Sequence, residues 1–142
     1  MSLAAYGYRN VLEAPGRPNG GVAAAADVQA CVDAALAEPG LVVVHLLTHG
    51  AQGPGLGVLY VLGPDGAEVP TSVGEWLNRA EKRGGDCGPV LFVLDVCHAG
   101  AAVGYQLQQL VDPTRQRAWV LAAAGGADPA YDGRLTGCHR PP

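Results

Sequence analysis

Two apolar runs constrain this chain more than anything else in it. Leu41 to Thr48 (LVVVHLLT) and Val90 to Asp95 (VLFVLD) are apolar at nearly every position. Alternation would mark a strand with one wet face. A near-continuous run is expected of a parallel strand covered on both faces. Both runs stop abruptly at polar, reactive residues and glycine. The first ends on His49-Gly50, the second on Asp95-Val96-Cys97-His98-Ala99-Gly100. In open α/β sheets, ligands and catalytic groups gather at the C-terminal ends of the strands.

The rest of the chain supplies what a parallel sheet needs. Tyr8 to Glu13 has the composition of a short strand, and Pro15 to Gly21 that of a loop. From Val22 to Ala37 the pattern is helical: Val28, Val32 and Leu36 recur every four residues, with Ala25 and Ala35 nearby. Pro39-Gly40 stops that helix. Beyond His49-Gly50, Gln52, Gly53, Pro54, Gly55 and Gly57 form a flexible loop. Val58 to Leu62 and the Pro64-Asp65-Gly66 turn add a hairpin. Ser72 and Glu75 stand at capping-box spacing, so a second helix runs from there to about Lys82, with Trp76 and Leu77 inward. A third helix is expected over Ala101 to Val111 and a last strand over Ala118 to Ala124, followed by a loop from Gly125 to Arg140. Strands alternating with helices imply a mostly parallel sheet between two helical layers. The expectation for residues 1–142 is one domain, a three-layer α/β/α sandwich.

Composition narrows the function classes. A net charge of −4 gives no basic face for nucleic acid. The first ten residues lack a basic start followed by an apolar core, and no apolar run is long enough to span a bilayer. Cys31, Cys87, Cys97 and Cys138 include no CxxC pair, which fits thiols of a cytoplasmic protein better than a disulfide framework. No cofactor is implied: Gly53 to Gly57 does not lead from a strand into a helix as a dinucleotide loop would. A zinc site at His49, Cys97 and His98 is not expected without a tight ligand pair. Val103 stands where the arginine of a cysteine-phosphatase loop would be.

The chemistry lies between the two strand ends. Cys97 follows His49 by 48 residues. If the two strands are parallel neighbours, both residues lie at one edge. A cysteine thiol is only a few per cent ionised at neutral pH, so a nucleophilic Cys97 needs an imidazole such as His49 beside it. A helix starting just beyond Cys97 would add the positive end of its dipole. The N–H of Gly50, unobstructed by a side chain, and that of Cys97 are candidate oxyanion donors. Asp95 precedes Cys97 by two residues, so on a strand the two share a face. Plainer readings stand beside these. A cysteine at a strand end is often only a small core residue. His45 is read as a hydrogen-bonded core histidine, Trp76 and Trp119 as core, Cys31 as lying on the core face of its helix, and His98 as a rim residue supporting the turn.

Together the two motifs resemble the caspase-like cysteine peptidases, the metacaspase and bacterial orthocaspase side in particular. LVVVHLLTHG matches that family's His-Gly after an apolar strand. VLFVLDVCHAG matches its D-x-C-H-S-G motif, with Ala99 in place of serine. The caspase histidine also lies about 50 residues before the cysteine. AWVLAAAGGADPAYDGRLT is similar to the family's strand, loop and G-x-[FL]-T ending, so the resemblance spans about Tyr6 to Thr136. It implies a caspase-like, p20-type fold, with His49 as general acid/base, Cys97 as nucleophile, and Gly50 and Cys97 as oxyanion donors. It implies Asp95 as the substrate-binding acid that directs cleavage after Arg or Lys in a protein or peptide substrate. The family carries a further apolar strand before this chain's start and continues past its end, so a domain shortened at both ends is expected. The alternative is a catalytically silent caspase-like module that binds other domains or effector proteins in a bacterial signalling or defence assembly. A flavodoxin-like receiver with a coincidental His and Cys is the third reading.

Overall fold

The structure, a computed structural model, describes residues 24–54, 58–109 and 116–125. The expected strand at Tyr8–Glu13, the G-x-[FL]-T ending, Gly55, Gly57 and Cys138 lie outside the described residues. The elements in chain order are α1 (Ala25–Ala37), β1 (Val42–Leu47), β2 (Gly50–Gln52), β3 (Leu59–Val61), α2 (Val73–Glu81), β4 (Val90–Asp95), α3 (Gly100–Gln109) and β5 (Ala118–Ala122). This is an α/β fold. β1, β4 and β5 form a parallel sheet in the order β1-β4-β5, and β2 pairs antiparallel with β3. No helix among the described residues is long and apolar enough to cross a membrane.

One face of the sheet makes the core. Val42, Val44 and Leu46 of β1 and Val90, Phe92 and Leu94 of β4 are buried with Val28, Val32 and Leu36 of α1 and Val73, Trp76 and Leu77 of α2. Fully burying a side chain of this size contributes about 1.5–3 kcal/mol. Ala102 of α3 joins the same cluster, and Asn78 of α2 donates a 2.7 Å hydrogen bond to the Tyr105 hydroxyl of α3. Connectivity accounts for this one-sided packing. β1 to β4 and β4 to β5 step the same way across the sheet, and right-handed crossovers then leave α2 and α3 on the same face.

The alternate strand residues face the other way. Val43, Leu91 and Val93 are half-buried there, and His45, Leu47, Trp119 and Leu121 are exposed. His45 is therefore not a core histidine and Trp119 is not core. Strand alternation sends both to the face away from the helices, and Trp119 is 50% exposed. Trp76, fully buried, fits the core reading. Cys31 is half-buried and sits beside the buried stripe of α1 instead of within it.

Local chemistry explains the helix starts. Ser72 caps α2 reciprocally: its hydroxyl accepts from the Glu75 N–H at 3.2 Å, and the Glu75 carboxylate accepts from the Ser72 N–H at 3.3 Å. Ala24 has no capping side chain, so α1 draws on other residues. Asp27 accepts from the Ala24 N–H, and Asp65, from the distant turn, accepts from the Ala25 N–H, both at 3.2 Å. The turn expected at Pro64-Asp65-Gly66 thus also caps a helix 40 residues earlier.

Candidate active site

The parallel pairing of β1 with β4 sets the geometry. Val42 pairs with Val90, and the register runs to Leu47 opposite Asp95. The residues that follow, Thr48-His49-Gly50 and Val96-Cys97, leave the sheet at the same edge. There the two segments touch. A Cβ built on Gly50 would lie 2.2 Å from the carbonyl oxygen of Cys97 and 3.3 Å from a methyl of Leu59. Only glycine permits so close an approach of the two backbones. The two motifs, 48 residues apart in sequence, are in direct contact.

Compared with family models, curated proteins and solved structures, the chain matches none of them. The site is therefore defined by its own geometry.

His49 is held by the hairpin. β2 pairs Gly50 with Val61 and Gln52 with Leu59, so pairing extends to Gln52, the first residue of the expected flexible loop. The Leu62 N–H donates to the His49 carbonyl at 2.8 Å, and the Thr48 hydroxyl donates to the Leu62 carbonyl at 2.7 Å. These bonds bracket the backbone of His49, whose side chain is exposed. Leu62, whose amide and carbonyl fasten the backbone on either side of His49, is a residue that the motifs alone did not single out. The available signal was a hydroxyl residue at the strand end facing a second β-forming run.

Cys97 occupies the turn between β4 and α3. Val96 and Ala99 are fully buried on either side of it, while Cys97 and His98 are half-buried. Ala99 fills a space where a serine would have had to bury a hydroxyl. His98 has φ 61°, and among the described residues it is the only non-glycine residue in the left-handed region. That conformation costs about 1–2 kcal/mol for a residue with a Cβ. Such outliers cluster at functional sites. The His98 carbonyl accepts from the Ala101 N–H at 2.9 Å, so the strained residue also starts the first turn of α3.

Asp95 lies at the last position of β4, on the face that carries Leu91 and Val93. It is 2% exposed, the one charged side chain buried among the described residues. The strand ends at Asp95 and the chain turns at Val96, so strand alternation does not extend to Cys97. The shared face expected for Asp95 and Cys97 on that ground does not follow. Among the described residues no three His, Cys, Asp or Glu side chains gather as a metal ion would require. The arrangement puts a histidine segment, a cysteine at a strained strand-to-helix turn and a buried carboxylate at one sheet edge.

Proposed function

We propose that the chain is a cysteine endopeptidase of caspase-like, metacaspase type, with a three-layer sandwich fold of which the sheet and one helical layer are described above. The observation that carries this reading is the contact of Gly50 with the Cys97 carbonyl, which joins the His-Gly and Asp-x-Cys segments at the C-terminal edge of the sheet. The Cys97 sulfur attacks the scissile carbonyl carbon, and His49 takes up the thiol proton. The N–H groups of Gly50 and Cys97 stabilise the oxyanion. His49 then returns the proton to the leaving amine. Water adds to the thioester, the thiolate departs, and His49 again carries the proton. The exposed His49 and half-exposed Cys97 are open to a polypeptide substrate. A carboxylate at Asp95 attracts a cationic side chain and repels an acidic one, so cleavage follows Arg or Lys. The chain works in the cytoplasm, on protein or peptide substrates, without a cofactor.

Cys97→Ala should abolish cleavage of Arg- and Lys-containing peptides without altering the circular dichroism spectrum; retained cleavage removes Cys97 as nucleophile. Asp95→Asn should weaken cleavage after Arg while sparing alkylation of Cys97 by iodoacetamide. Equal loss of both would make Asp95 structural.

One observation favours the silent interaction module as a second reading: the exposed apolar residues Leu47, Trp119 and Leu121 on the sheet face away from the helices. A wild-type chain that cleaves no Arg or Lys peptide would favour that module.

A further inference from the structure

The turn that carries Cys97 has an unusual design. Fully buried Val96 and Ala99 anchor it on either side, leaving little freedom to the two residues between them. The Cys97 carbonyl lies against Gly50. His98, the next residue, has φ 61° where the chain enters α3 at Gly100. The His98 ring sits half-buried, and its Nδ1 is buried without a hydrogen bond to any described residue. That atom offers no hydrogen-bonded line to His49.

We propose that His98 is a positioning residue for Cys97: its left-handed backbone, and not its imidazole, turns the Cys97 carbonyl onto Gly50 and keeps Cys97 half-exposed at the β4–α3 turn. The proposal rests on the reading of Cys97 as the nucleophile. It separates two roles that a histidine next to a nucleophile invites, proton carrier and backbone elbow, and assigns the second. Residues that enter the left-handed region easily should therefore replace it, whatever their acid–base chemistry.

The test uses the full chain and a reagent independent of peptidase activity. The rate of iodoacetamide alkylation is followed at the Cys97-containing peptide by mass spectrometry, which separates it from Cys31, Cys87 and Cys138. Rates are taken across pH for wild type, His98→Gly, His98→Asn, His98→Ala and His98→Val. Gly and Asn adopt positive φ readily, and both should keep the wild-type rate and pH profile to within about threefold. Val resists positive φ and should be slower by about tenfold, with a changed profile. Ala should fall between Gly and Val. A Gly variant as slow as Val would assign the role to the ring and overturn the proposal. A Val variant as fast as wild type would overturn it as well. If Val does not fold, Ala against Gly decides: Ala slower supports the proposal, and Ala equal or faster overturns it. Peptide cleavage is measured in parallel. A wild type that cleaves nothing sinks the peptidase reading, while the alkylation series still decides the role of His98.

Discussion

The two ends of the sheet use their polar residues in opposite ways. At the N-terminal end of the strands, charged side chains are bound to backbone. The Glu81 carboxylate accepts from the N–H groups of Arg117 and Ala118, both at 2.9 Å, where the chain enters β5. The Arg117 guanidinium donates to the carbonyls of Gly84 at 2.8 Å and Cys87 at 3.0 Å. Arg83 donates to the carbonyl of Gly88 at 2.8 Å and also to that of Glu38, joining the loops before β1 and β4. At the C-terminal end, beside the buried Asp95, the backbone is held by neutral groups: the Thr48 hydroxyl, the Leu62 amide and the bare Cα of Gly50. His49, Cys97 and His98 are then left exposed or half-exposed at that edge. A charged group that satisfies several carbonyls stabilises structure and is poorly placed for chemistry. The difference between the ends separates residues that build the fold from residues that could act on a substrate.

The comparison breaks most sharply on glycine. Gly50→Ala forces a Cβ into the Cys97 carbonyl. It should lower kcat/KM by at least about 100-fold, as expected when reacting groups are displaced by roughly 1 Å. Gly84→Ala and Gly85→Ala, at the opposite end with nothing within 4 Å of the added Cβ, should change stability by less than about 0.5 kcal/mol and leave cleavage intact. Equal effects at both ends would end the distinction. Arg117→Ala should show the converse pattern. It leaves carbonyl groups of the loop before β4 without their charged donor and should lower stability by about 2 kcal/mol in urea unfolding, with kcat unchanged below the transition. Thr48→Val removes one hydroxyl bond to Leu62. It should cost about 1 kcal/mol, and cleavage should fall several-fold if that bond positions His49. The smallest effect lies away from both ends. Burial raises the Asp33 carboxyl, but hydrogen bonds from Arg79 and Gln29 and the Arg79 charge outweigh it, so its pKa falls below the ordinary carboxylate value. Its contribution is fully present above that ordinary value and is lost as pH falls through the lowered one. The Arg79–Asp33 pair is half-exposed, so Asp33→Asn should slightly flatten the acid limb of a stability–pH curve and do little at neutral pH.

Much of this was legible in the chain because local rules and tertiary structure agree. The apolar runs became β1 and β4, the Ser72/Glu75 pair caps α2, and the parallel order put His49 and Cys97 at one edge. The disagreements have physical causes. The described helices cover one face, yet Val43, Leu91, Val93, Trp119 and Leu121 keep the opposite face apolar, so the run of residues could not reveal that Trp119 and His45 are exposed. β2 was hidden among glycines, because its pairing is fixed by the partner strand β3 and not by its own propensity. The shared face expected for Asp95 and Cys97 rested on strand alternation, which ends at Asp95 because the chain turns at Val96. A left-handed histidine has no sequence signature, because histidine adopts φ 61° only where the surrounding turn requires it.

The most direct test of the His49–Cys97 site is a double-mutant cycle on cleavage of an Arg-containing peptide. The kcat/KM of wild type, His49→Ala, Cys97→Ala and the double variant would be compared. If His49 and Cys97 act as one unit, each single change should remove nearly all cleavage and the double variant should be no slower than the slower single. Losses that multiply independently, or cleavage that survives His49→Ala, would contradict the account.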